Sequence, residues 1–405
     1  MTATFDGPLV GPASTGQPAR LKESDCRVED LVALTGQRTD LAAYPHAARV
    51  ADNVLVYDSG SVGAAAAADG GAEAVSAELV RALTEGPGVV VFENAFPDHA
   101  VVDRVTAAFD AMIADERASG GPAGDHFAAP GANSRVWNAL EKLALRDPEA
   151  FVDYYANDVL ALVSAAWLGP GYQVTSQVNV VRPGGQAQDP HRDYHLGFLA
   201  NEVVERYPTH VHLLSPVLTL QGAVAHSDMP RESGPTLYLP YSHQYAAGYL
   251  AWRLPEFREY FEASHVQLPL RKGDAAFFNP AVFHGAGSNV SADIQRVANL
   301  LQVSSGFGRA MEHVDRTKVA KAVYPALKQR REVGAGAAAL ANAVAAAAEG
   351  YPFPTNLDRD QPIGGLTPLA QTEILAQALA EGWAPGRVDE ALDAYAARRS
   401  HEDIG

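Results

Sequence analysis

The sequence predicts a mainly β protein with flanking helices, an α+β chain whose core is an antiparallel sandwich or barrel of the jelly-roll kind. Three observations carry this expectation. From Tyr172 to about Gly306 the chain is made of short runs rich in Val, Leu, Tyr and Phe, divided by Pro, Gly and Asn. Amphipathic helical patterns precede and follow that stretch. Apolar residues make up 47% and charged residues 20% of the 405, so the chain can bury a large core, and one core with extensions is expected. The expected division is a partly irregular leader over 1–85, a jelly-roll core with supporting helices over 86–310, and a helical extension over 311–405.

Taken in order, residues 1 to about 75 mix Pro, Gly, Ser and Ala, and Gly60 to Ala74 (GSVGAAAAADGGAEA) reads as a flexible surface loop. GPGVVVFENAF, from Gly86, gives a short buried strand. The segment after it sets Val101, Val102, Val105, Phe109, Met112 and Ile113 on one helical face, with Pro97 suited to a first turn. A second helix is expected from Pro148 to the glycines at 169–171. Strand-like runs follow: YQVTSQVNVV, THVHLLSPVLTLQGAVAH, PTLYLPYS, HVQLPL, DAAFFNPAVF and RVANLLQVSS. Beyond Met311 the pattern returns to helix, the clearest case having Thr367 as candidate N-cap, Pro368 at the first position and Gly382 past the end.

Composition narrows the function. A net charge of -17 argues against a general affinity for nucleic-acid phosphates or anionic membrane surfaces, leaving a small molecule as the expected partner. Cys26 is the only cysteine, so no intrachain disulfide can form, and a cytoplasmic setting is expected. The N-terminal MTATFDGPLVGPASTGQ has neither a basic start nor an apolar run, and no stretch is long enough for a membrane span.

The chemistry concentrates in DPHRDYHLGF, Asp189 to Phe198. In His191-Arg192-Asp193 the ring and the carboxylate are two residues apart, so in an extended segment both leave the same face and can hold one ion. His284 lies 91 residues beyond Asp193, at the end of an apolar run. Two histidines and a carboxylate with open positions form the facial triad of non-haem Fe(II) oxygenases. A lone His-x-Asp is also compatible with a hydrogen-bonded turn. Twelve residues past His284 comes Arg296, whose guanidinium can take a carboxylate through two parallel bonds.

These residues resemble the phytanoyl-CoA dioxygenase family of Fe(II)/2-oxoglutarate-dependent oxygenases. The His-x-Asp pair, the distal His284 after Gly273-Asp274-Ala-Ala-Phe-Phe278, and Arg296 match its pattern in order and spacing. Gly234 to His243 (GPTLYLPYSH) and His284 to Asn289 (HGAGSN) are similar to two further family segments, and the likeness spans about Gly86 to Gly306. It implies a double-stranded β-helix, with Fe(II) held by His191, Asp193 and His284 and the far carboxylate of 2-oxoglutarate paired with Arg296. Gln177 and Asn179 would point into the same cavity. It also implies consumption of O2 and release of succinate and CO2, with hydroxylation of a small-molecule metabolite the usual outcome. Desaturation, cyclisation and epimerisation use the same chemistry. Halogenation is disfavoured, because the related halogenases lack the carboxylate that Asp193 supplies here.

Two departures bear on the co-substrate. Ala286 stands where many members carry a Ser that contacts it, so that contact would pass to Thr236 or Ser288. Tyr241 replaces a Gly, which alters a turn. Candidate substrate contacts are Arg192, Tyr194, His195, Gln221, His226 and Arg231. Alternatives are a non-catalytic jelly-roll binding protein and a cupin-like enzyme using His210 and His212. The acidic charge favours a free metabolite over a coenzyme A thioester. Tyr351 to Pro362, or the helix after it, is expected to cover the cavity or form a homodimer contact.

Overall fold

The computed structural model describes residues 18–119 and 133–400, so the reading of the N-terminal 17 residues lies outside it. Among the described residues eleven strands build two sheets: β1 (Arg49–Ala51), β2 (Val54–Asp58), β3 (Val89–Glu93), β4 (Asn133–Val136), β5 (Gln173–Val181), β6 (Thr219–Ala225), β7 (Thr236–Leu239), β8 (Val266–Gln267), β9 (Ala275–Phe278), β10 (Phe283–Ala286) and β11 (Arg296–Ser304). The large sheet runs β1-β2-β3-β9-β6-β11-β5-β4 and the small one β10-β7-β8. Every pairing is antiparallel except β2 with β3. Together they form the expected jelly roll, with helices against the outer face of the large sheet.

Period-two alternation sorts the large sheet's side chains. Val174, Val178 and Val180 of β5, Leu220 and Val224 of β6, Ala275 and Phe277 of β9, and Val297, Leu301 and Val303 of β11 join the helical layer's core. Val89 and Val91, Ala225, Ala276 and Phe278, and Ala298 face inward to a second core with Tyr238, Leu268 and Leu270 from the small-sheet side. The register then fixes what lies side by side inside: Asn179 opposite Ala298, Leu300 opposite Gln177 and Ala223, and Gln302 opposite Gln221.

Several expectations need correction. Gly60–Ala74 is no loop: helices Ser59–Ala67 and Gly71–Thr84 cover it, the first capped by Asp58, and the turn between them uses left-handed Gly70. Alanine is the strongest helix former, and Val75, Leu79, Ala82 and Leu83 bury one face. The leader also supplies β1 and β2 to the large sheet. The helix from Pro148 is two, Pro148–Tyr155 and Asp158–Leu168, broken where Asn157 caps the second. THVHLL is a helical turn, Thr209–Leu214, rather than strand. The apolar run ending at His284 is two strands parted by Asn279-Pro280. The helix expected from Thr367 begins at Gln371, where the Ala370 amide donates to Glu373, while Gly382 ends it in the left-handed conformation as expected. Asp98, not Pro97, opens helix His99–Ala118; Val102, Val105, Phe109, Met112 and Ile113 are buried along it and Val101 is half-buried.

The segment from Tyr351 to Pro362 lies away from the inner cavity. Tyr351 packs on Phe307 and against Gly306 at the far end of β11, and Asp360 pairs with Arg398 and Arg399 of the last helix. No helix among the described residues is long and apolar enough to cross a membrane.

Candidate metal centre and cavity

The loop after β5 returns along β10 as an extra strand. His191 and His284 exchange both backbone hydrogen bonds (2.9 and 3.2 Å), which sets their rings 4.5 Å apart between centroids. Asp193 follows on the same side. His191 Nε2 lies 3.6 Å from Asp193 Oδ1 and His284 Nε2 lies 3.5 Å from Oδ2. One ligating atom from each residue falls within 4.8 Å of the others.

The donor set fits a divalent metal on its own terms. His191 Nδ1 is 2.8 Å from the Asp189 carbonyl and His284 Nδ1 is 3.0 Å from the Val282 carbonyl. A carbonyl only accepts, so each Nδ1 carries the proton and each Nε2 presents a lone pair toward Asp193. Burial pushes the His191 ring down from its ordinary range, against the pull of Asp193, which keeps it neutral. Burial alone would push the Asp193 carboxyl up, but the two imidazoles and the Gln221 amide outweigh it and hold it well below the usual range. Two lone pairs and an anion converging in a half-buried place call for a cation.

These atoms open into a cavity of about 170 Å³ between the sheets. Its walls are apolar at Val91, Ala223, Ala276, Phe278 and Leu300 and polar at Gln177, Asn179, Gln221, Gln302, Thr236 and Arg296. Arg296 is 6% exposed, and among the described residues no carboxylate pairs with it. Burial pushes its guanidinium down to about 10, with the Tyr238 hydroxyl opposing, so it stays charged at neutral pH. A buried cation facing a cavity without an anion is suited to a ligand carboxylate.

The other candidates divide. Gln177 and Asn179 line the cavity; Gln177 accepts from Arg135 at 2.9 Å and donates to Gln302 at 3.4 Å. Gln221 lines it too, and donates to Asp193 Oδ2. Thr236 sits opposite Ala286 on the wall, whereas Ser288 Oγ is turned away to accept from the Ala187 amide. Arg192 is a correction: alternation points it away from its ligand neighbours. It is buried between the Tyr249 and Phe283 rings, and it donates to the Ser242 and Tyr245 carbonyls. Tyr194 is buried outside the cavity lining, and His195 Nδ1 is 2.9 Å from Ser215 Oγ. His226 belongs to the helical side, between Thr106 and Tyr154, and Arg231 is an exposed partner of Asp52. None of these four meets the cavity. His210 and His212 lie on the short helix away from it, and no third metal-ligating side chain joins them among the described residues.

Sequence reasoning missed Arg135, Trp137, Phe198, Gln302 and Met311, all on the cavity wall. Gln302 alone had a readable signal, since it shares the inward parity of Arg296 on β11. Arg135 arrives by pairing of the short β4 with Asn179, which no local pattern announces.

A jelly roll presenting two imidazoles and a carboxylate to a cavity is the scaffold of non-haem iron enzymes. The chain belongs to the phytanoyl-CoA dioxygenase family (PhyH), whose sequence profile matches residues 84–298, just over half its length. It is accordingly a non-haem iron, 2-oxoglutarate-dependent enzyme. Among solved structures it is similar to the non-haem α-ketoglutarate-dependent epimerase SnoN from nogalamycin biosynthesis, at 19% identity over 58% of this chain and 84% of that one, with a TM-score of 0.38. It is similar also to the carbocyclase SnoK of nogalamycin biosynthesis (20% identity, 58% and 86% covered, TM-score 0.39). AviO1 from Streptomyces viridochromogenes Tue57 is a third (18%, 54% and 90%, 0.38). No curated protein sequence matches the chain.

Proposed function

We propose that the enzyme hydroxylates a small-molecule metabolite, with His191, Asp193 and His284 as the iron ligands and Arg296 as the anchor of 2-oxoglutarate. The observation that carries this reading is the meeting of two deprotonated Nε2 atoms and a carboxylate beside an uncompensated, buried guanidinium in one cavity. When bound, iron with 2-oxoglutarate and O2 supplies an oxidant able to cleave a C–H bond, releasing succinate and CO2. The chain's part is to orient and to exclude water. The Asp189 and Val282 carbonyls hold the two rings in register, Arg296 fixes a diacid by its far end, and Val91, Ala223, Ala276 and Leu300 keep the reacting space dry.

Hydroxylation is favoured over desaturation or cyclisation by what the cavity lacks. Among the described residues, the ionisable side chains lining it apart from the three ligands are Arg135, Tyr238 and Arg296, with no further carboxylate, histidine or lysine. Returning oxygen to the substrate carbon needs no such base. The test is incubation of the iron-loaded protein with 2-oxoglutarate, O2 and a metabolite library. We expect succinate in step with a product heavier by one oxygen. A product of unchanged mass, or one lacking two hydrogens, would replace hydroxylation by epimerisation or by desaturation and cyclisation.

A further inference from the structure

We propose that Gln221 is a positioning residue for the metal: it holds Asp193 so that only one carboxylate oxygen is offered to the ion. The proposal rests on the reading of His191, Asp193 and His284 as ligands and goes beyond it. Gln221 stands on β6 with its side chain inward, between its cross-strand neighbours Gln302 on β11 and Phe278 on β9. From there its amide donates to Asp193 Oδ2. The direction of this bond is fixed by chemistry, because an ionised carboxylate only accepts and the amide must turn its Nε2 toward it. The consequence is visible at the other end: Gln221 Oε1 is buried and has no donor among the described residues. An amide that leaves its own oxygen unsatisfied is committed to the carboxylate.

Oδ1, beside His191 Nε2 at 3.6 Å, takes no hydrogen bond among the described residues, so it is the oxygen left to bind an ion. A carboxylate held in this way occupies one coordination position instead of two, which leaves the position a bidentate keto acid and O2 would otherwise have to contest. Each imidazole is oriented by a carbonyl within two residues of itself; Asp193 is oriented from a different element, the floor of the barrel. The row continues outward, since Gln302 accepts from Gln177, which accepts from Arg135 at the sheet edge. The floor's polar side chains thus brace the one ligand that stands on an unpaired turn.

Metal binding by the metal-free protein tests this without turnover. Co(II) is titrated into the wild-type protein, Gln221→Leu, Gln221→Met and His284→Ala, with binding read from the visible absorption of Co(II) and thermal unfolding of each metal-free protein recorded alongside. Gln221→Leu should weaken Co(II) binding 10- to 100-fold and change the shape of its spectrum, with metal-free unfolding close to wild type. Gln221→Met keeps the length and bulk and should do the same, which covers the case in which the Leu variant does not fold. A Co(II) affinity within threefold of wild type in the folded variant overturns the proposal. So does a loss matched by lower metal-free stability, since that would be packing alone. His284→Ala separates the two readings: if it binds Co(II) like wild type, the ligand assignment itself fails.

Discussion

Arg296 is the side chain whose removal has the most specific expected effect. Arg296→Gln deletes a charge-assisted pair worth roughly 1.5–3 kcal/mol, so the KM for 2-oxoglutarate should rise about 10- to 100-fold while metal affinity holds. Steady-state kinetics in 2-oxoglutarate checks this. Ala286 offers the reverse experiment, since it faces the cavity opposite Thr236. Ala286→Ser restores a hydroxyl on the wall and should lower that KM severalfold; an unchanged value would mean that Thr236 already serves the carboxylate. Arg192 acts through packing. A Cβ on Gly248 would sit 1.9 Å from the Arg192 Cζ, so Gly248→Ala must expel the guanidinium from its carbonyls and aromatic cage. Overpacking of this kind costs roughly 2 kcal/mol or more, measurable by urea unfolding.

At the scale of elements, β5 explains why the site could be partly read in advance. Its sequence alternates Val174, Ser176, Val178 and Val180 with Thr175, Gln177 and Asn179, and the structure sends the first set to the helical core and the amides inward. A period of two is legible in any sequence, and so is the two-residue step that puts His191 and Asp193 on one side and Arg192 on the other. Partnership between elements was not legible. Nothing local to His226 says that it follows β6 on the helical side, and nothing near β4 announces Arg135. The alanine-rich helices at 59–84 are hard to read because their glycines look like loop markers and mask alanine's helix propensity. The register also makes the floor a single element-level unit, with Gln302 facing Gln221 across β11 and β6.

For the molecule as a whole, buried neutral histidines set the acid limit. Burial pushes His226 down to about 3 and His243 down to about 4. Below the unfolded value near 6.5 the unfolded chain binds protons that the folded one refuses, so stability is full above about pH 6.5 and is lost as pH falls toward those values. Each ring contributes a slope of about 1.4 kcal/mol per pH unit in that window. Unfolding free energy followed from pH 7 to 4.5 should fall accordingly, and His226→Gln should flatten the slope.

The account as a whole turns on one ion held by His284 of β10 and by His191 and Asp193 of the loop bridged to it. The most direct measurement is X-ray anomalous scattering at the iron edge from crystals loaded with Fe(II) without oxygen. A single peak bonded to His191 Nε2, His284 Nε2 and one oxygen of Asp193 is the predicted result. Iron bound elsewhere, or no peak at these atoms in protein that folds and binds the metal, would contradict it.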